Sequence, residues 1–215
     1  METRFGIGNM PQEWAHKRGK MGFFKATFKR TARRGDPVTR KIGRTVTPSG
    51  FERFFDDDQI IVSKTDLKGR ITYVNRVFMT IAGYSEKELL GAPHSLIRHP
   101  AMPRCVFKLL WDTIEAKQEI FAYVINMARN GDHYWVFAHV TPSLDAMGNI
   151  ISYHSNRRPP DRCVLNDTII PLYESLIAEE ARHQDRKQGL AASTAMLENL
   201  LVEKGMGYDE LVFSL

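Results

Sequence analysis

Cysteine is scarce in this chain of 215 residues: only Cys105 and Cys163 occur, with no CxxC pair and no metal-type spacing around them. A disulfide framework and a thiolate zinc module are thereby excluded, and two reduced, partly buried thiols are expected. No run of about 18 apolar residues exists, so a spanning helix is not expected. The first residues lack the apolar core of a secretory signal. Internal repeats and low-complexity tracts are missing. The one glycine-spaced word near the start, RFGIGNM (4–10), lacks the strand–helix context of a phosphate-binding loop. Nothing pairs a nucleophile with a base and no metal motif appears, so the chain is not expected to be an enzyme.

Charge is present in quantity but unevenly placed. Residues 1–50 hold twelve Lys/Arg against three acidic residues, while 51–215 hold the remaining eighteen against twenty-two. A basic N-terminal arm (1–50) is thus attached to a mildly acidic body. Phe24 and Phe28, four apart among Lys25, Lys29, Arg30 and Arg33, suit one face of a short helix meeting an anionic surface. A solvated, flexible arm is the plainer expectation for a charge-rich terminus. Its poverty in serine argues against an organelle transit peptide.

The texture changes at Phe51. FERFFDDD reads as a short amphipathic lead-in, with Asp56–Asp58 as a solvated helix-to-strand junction. IIVSKTDLKGRITYVN gives two strands around a turn at 66–69. RVFMTIAGYSEKELLG gives two short helices, closed by Gly83, capped by Ser85 with Glu88 three residues on, and stopped by Gly91. Val106, Leu109, Leu110 and Ile114 recur at helical spacing. IFAYVINMA, HYWVFAHVTP and NIISYHSNR follow as strands, with Asn130-Gly131 and 145–149 as hairpin turns. The order β-β-α-α-α-β-β-β predicts an α+β domain over 51–160, an antiparallel sheet with helices on one face. Beyond Pro159–Pro160, residues 161–215 read as a helical extension. Ile169, Leu172, Leu176 and Ile177 lie on one helix face and Met196, Leu197, Leu200 and Leu201 on the next. The apolar tail GYDELVFSL is suited to dock back or to meet a partner.

Four words carry a resemblance: TDLKGRITYVN (65–75), AGYSEKELLGAPHSLIRHPAMP (82–103), NGDHYWV (130–136) and PLYESL (171–176). Together with the element order they resemble a PAS domain, and within that group the FAD-binding PAS domain of bacterial aerotaxis receptors. The pairing of GxPHxxxRHPxMP with NGDHYWV is the specific part. The resemblance implies a five-stranded sheet whose helices enclose a cavity, FAD bound noncovalently, and sensing of redox state or oxygen without turnover. By position it places Arg98 and His99 in the family's RHP turn, His94 in its GxPH word and Trp111 on its long helix. Asn75 and Asn126 fall at polar strand positions associated with the flavin. This chain has Ala101 where the family usually has an acid after RHP. It has Ile120 followed by Phe121 where the family usually has a tryptophan. Both positions bear on flavin affinity in the family.

The residues also bear a reading of their own. A flavin needs apolar walls for its ring and fixed donors and acceptors for one edge. Asn75 and Asn126 amides suit that edge, and Arg98 suits a carbonyl or phosphate oxygen and would favour an anionic reduced ring. Equally, Arg98 and His99 suit pinning the turn before Pro100, Asn75 a helix cap, Asn126 a solvent-facing strand position, and Trp111 the core. His94 and His133 suit structural roles. Two alternatives remain beside the FAD sensor. One is a haem-binding gas sensor, with His94, His99, His133, His139 and His154 as candidate axial ligands. The other is a ligand-free adaptor. A thiol-adduct photosensor is disfavoured, because GAPHSLIR places His94 where such a domain has its cysteine. The expected setting is cytoplasmic or at the membrane periphery through the arm. Signalling is expected in trans, to a chemoreceptor, kinase or similar protein, and a homodimer is expected by analogy.

Overall fold

A computed structural model of the protein describes residues 46–215. The arm's candidate helix around Phe24 and Phe28 lies outside them. Five strands form one antiparallel sheet: β1 (Ile61–Thr65), β2 (Ile71–Val74), β3 (Ile120–Met127), β4 (His133–Leu144) and β5 (Ile150–Arg158). Their spatial order is β2-β1-β5-β4-β3. Between β2 and β3 come α1 (Arg76–Ala82), α2 (Glu86–Leu89), a 3₁₀ turn (His94–Ile97) and α3 (Arg104–Glu115). The expected α+β architecture is the observed one.

Local chemistry explains the turns. In β1–β2, Asp66 Oδ1 accepts from the Lys68 and Arg70 N–H groups, and Gly69 takes φ +70°. In β4–β5, Asp145 Oδ1 accepts from the Met147 and Asn149 N–H groups, with Gly148 at φ +79°. Both hairpins use the same device, an aspartate folding the backbone onto itself and a glycine taking the left-handed position. Gly83 ends α1 at φ +70°, and Ser85 with Glu88 forms the capping box of α2.

Alternation then divides the sheet's residues between two faces. Ile61, Ser63 and Thr65 of β1 pair with Arg157, Ser155 and Tyr153 of β5, and the same face continues through Ala138 and Val140 of β4 to Ala122, Val124 and Asn126 of β3. This face meets α1 and α3 over a core that includes Phe78, Val106, Ile114 and Tyr134, all essentially inaccessible. Burying one such side chain as Phe78 contributes about 2 kcal/mol.

Residues 51–58 differ from the expected helical lead-in. They form no helix: Glu52 bridges His133, a turn closes at 57–58, and Phe51 and Phe54 stay exposed. The β3–β4 hairpin is what captures them: Asp132 accepts from Ser49 Oγ and Arg53 Nε. A Cβ on Gly131 (φ +95°) would come within 2.3 Å of the Thr47 carbonyl oxygen. The NGD word thus docks the segment before the sheet.

The extension comprises α4 (Arg162–Val164), a π turn (Leu165–Ile169), α5 (Ile170–Ala181), α6 (Arg186–Lys204) and α7 (Tyr208–Ser214). Pro171 has no N–H to continue the helical ladder, and the ladder widens just before it. The apolar tail docks back as α7, with Phe213 against Phe121 and Phe137. Residues 46–215 belong to one compact unit, in which the extension packs on the sheet.

Candidate functional site

Between the sheet and α3 lies a cavity of about 200 Å³. Its walls are apolar: Ile97 from the 3₁₀ turn, Phe107, Leu110, Trp111 and Ile114 from α3, Val124 and Val140 from the sheet. Trp111 stands edge-on to Tyr153 at 5.5 Å and covers Gly69, where a Cβ would press on the indole. Exposed Lys68 and half-buried Arg98 also line the cavity and place positive charge at its rim.

The interior polar groups are few and unusual. Arg157 is 3 % exposed. Its Nε donates to Ser155 Oγ (3.1 Å) and its Nη2 to Ser63 Oγ and to His94 Nε2 (2.8 Å). All three acceptors are neutral, and Nη1 has no partner. The guanidinium lies 5.1 Å from the centre of the Phe78 ring. Burial lowers the Arg157 pKa to about 10, which leaves it charged at neutral pH. Burial first, and then the Arg157 charge, push His94 down to about 3. His94 is therefore neutral, with Nε2 the acceptor and the proton on Nδ1. Asn126, 3 % exposed, has an Nδ2 donor with no partner, and the Tyr134 hydroxyl on the same sheet face has none either. Buried polar groups are normally satisfied, and unmatched ones cost about 1–3 kcal/mol each.

Four of the six residues singled out in the sequence line this cavity: His94, Arg98, Trp111 and Asn126. Arg98 stacks its guanidinium 4.2 Å from the Phe107 ring centre, and its backbone bridges Asn126. The other two lie elsewhere. Asn75 Oδ1 accepts from the Phe78 and Val62 N–H groups and its Nδ2 donates to the Ile60 carbonyl, so the amide is spent capping α1. His99 is buried outside the cavity lining, and its Nδ1 accepts from the Ala101 N–H at 3.1 Å. Its ring lies 5.7 Å from that of His133, which is where the RHP and NGDHYWV words meet. Burial, then His133, lowers the His99 pKa. Ala101 is exposed, whereas Ile120 is buried at the head of β3.

Sequence reasoning missed Arg157, Ser63 and Tyr153. The signal was the alternation Tyr153, Ser155, Arg157 along β5, but Arg157–Arg158 before two prolines reads as a solvated strand end. Only the pairing of β5 between β1 and β4 buries it.

An antiparallel sheet in this order, with α1–α3 over one face and a cavity beneath them, has the architecture of the PAS fold. Residues 71–157 match the family model described as the PAS fold. Among curated proteins, the aerotaxis receptor of Escherichia coli K12 is 39 % identical over 123 residues, covering 57 % of this chain and 24 % of that protein. The nitrogen fixation regulatory protein of Klebsiella pneumoniae is 31 % identical over 111 residues, covering 52 % and 22 %. This chain thus spans about a quarter of the length of those relatives. A solved light-oxygen-voltage domain, studied with a flavin analogue, aligns over 54 % of this chain and 89 % of its own, with a TM-score of 0.49 and 17 % identity. Among the described residues, no helix is long and apolar enough to cross a membrane.

Proposed function

We propose that the protein is a sensory PAS protein that binds a flavin, FAD by the family resemblance, in this cavity and reports redox state or oxygen to a signalling partner in trans. The observation that carries the reading is the pair of unmatched donors, Asn126 Nδ2 and Arg157 Nη1, in residues lining a largely apolar cavity. A planar heterocycle with apolar faces and acceptor atoms along one edge matches that set. Lys68 and Arg98 at the rim suit the phosphates of a flavin nucleotide. Bound there, a flavin supplies a ring that accepts and returns electrons. The chain's own residues orient it, exclude water and fix its hydrogen bonding. The curated relatives are a receptor and a regulatory protein, which supports a signalling role rather than turnover.

The haem alternative finds less support in the same geometry. His94 presents its Nε2 to a guanidinium, and His99 uses its Nδ1 within the turn. His139 pairs with Glu119 on the opposite sheet face, beside His154 in the strand alternation. His154 does line the cavity and its Nε2 has no partner, but strand alternation sets its side chain on the face opposite Ser155 and Arg157, away from the cavity's polar group.

The output route we propose is β3. Its cavity face carries Asn126, while its free edge is held by the extension: the Phe121 N–H donates to Asp209 and the Tyr123 carbonyl accepts from Tyr173. A change in hydrogen bonding at Asn126 thereby reaches α5 and α7 through one strand. The test is flavin absorption and fluorescence of the purified chain with FAD supplied. Wild type is expected to retain flavin, and Asn126→Leu, with the same bulk but no donor, to lose affinity about tenfold or more for one buried hydrogen bond. Wild type that takes up neither FAD nor FMN overturns the reading.

A further inference from the structure

Among the described residues, the buried cation of the cavity has no anion. Arg157 makes no ion pair with any described residue, and its three bonded acceptors are the Ser63 and Ser155 hydroxyls and the neutral imidazole of His94. Arg98 differs, since its guanidinium is only half-buried and feels Glu180 as an opposite charge. An uncompensated buried charge costs several kcal/mol in effective terms and is normally paired. Polar neighbours and the Phe78 ring offset part of that cost without neutralising the charge. One donor, Nη1, is still unspent.

We infer that Arg157 is the charge-selecting residue of the cavity, favouring the ligand form that carries negative charge over the neutral one. The inference rests on the flavin reading and extends it to a named residue and a direction of response. With a low-potential electron donor, dithionite in the test, two electrons and one proton convert the neutral oxidised ring into a reduced ring bearing one negative charge. Arg157 remains protonated throughout and supplies no proton; its fixed charge replaces the second proton that would otherwise be taken up. His94, already an acceptor, contributes no competing positive charge. The charge therefore raises the affinity for the reduced ring relative to the oxidised one, and with it the midpoint potential.

The test is a redox titration of the flavin-loaded full chain followed across pH. For wild type the midpoint is expected to fall by about 30 mV per pH unit, the slope for one proton per two electrons. Arg157→Gln keeps a donor and removes the charge. It is expected to weaken binding of the reduced ring relative to the oxidised by at least about tenfold, a drop of roughly 30 mV or more, with Arg157→Lys restoring much of it. An unchanged midpoint in Arg157→Gln overturns the inference while leaving the flavin reading in place. Should that variant fail to fold or to hold flavin, the wild-type slope decides: about 60 mV per pH unit, two protons per two electrons, overturns it. Failure of wild type to bind any flavin overturns both.

Discussion

His94 stands between the Ser63 hydroxyl and the Arg157 guanidinium, and its surroundings give it one protonation state. Its imidazole has a folded pKa of about 3 against an ordinary 6.5. Below 6.5 the unfolded chain binds a proton there that the folded chain refuses. The unfolded state then holds more protons, and stability falls as pH drops through the window from 6.5 toward 3. The slope from this residue approaches about 1.4 kcal/mol per pH unit. His94→Gln, whose amide oxygen still accepts from Arg157 without titrating, is expected to flatten the acid side of the stability profile. Denaturant unfolding at several pH values measures it, and an unchanged slope places the titration elsewhere. At this scale Asn75 and His99 matter for shape, one capping α1 and the other pinning the RHP turn. Both were equally readable as ligand contacts from sequence, because an amide or an imidazole suits either task. What separates the readings is whether the local backbone has already used the group.

Among the elements, α3 depends most on another for its start. It begins behind Pro103, which offers no capping side chain. Glu180 of α5 fills that role from 76 residues away: its Oε1 accepts from the Arg104 N–H and Oε2 from Arg104 Nε. The Cys105 N–H and Ser193 Oγ complete the carboxylate's shell. A carboxylate here satisfies orphan donors and meets the positive end of the helix. Glu180→Ala is expected to destabilise the protein by about 3 kcal/mol, since it strands several donors and one partner charge. Thermal or denaturant unfolding gives the value, and a loss within experimental error refutes the capping role. Because α3 carries Phe107, Leu110 and Trp111, the same variant is expected to reduce flavin retention as well. The other long-range tie, RHP against NGDHYWV, explains why the two words occur together: His99 and His133 touch, and Asp132 beside them secures the segment before β1.

Across the whole molecule, the extension completes the sheet. β3 is an edge strand, and an uncovered edge invites pairing with other chains. Tyr173 and Asp209 occupy two of its outward groups, while Phe213 covers the ring surface of Phe121. Tyr173→Phe is expected to leave the buried Tyr123 carbonyl unmatched, cost about 1–2 kcal/mol and loosen the extension. Its flavin content is expected to stay near wild type, because Tyr173 is not a cavity residue. Limited proteolysis of residues 161–215 alongside a flavin absorbance measurement checks both halves. If the extension stays protected, β3 is held by other contacts and the proposed output route fails.

The sequence by itself determined the order of the five strands and of the main helices from 59 to about 204. Those signals are local: alternation in the strands, DLKG and DAMG turns, Gly83 and Ser85 at helix ends, the apolar spacing of 106–114. It also marked His94 and Arg98, through words that keep their spacing whatever the fold does elsewhere, and Trp111 and Asn126 by their position in the resemblance. The tertiary structure alone decided that Arg157 is interior, that Glu180 starts α3, and that residues 51–53 pair with a hairpin eighty positions on. Each of these depends on partners distant in the chain. The strand order that brings β5 between β1 and β4 turns an arginine with the local look of a solvated strand end into a buried charge without a counter-ion among the described residues.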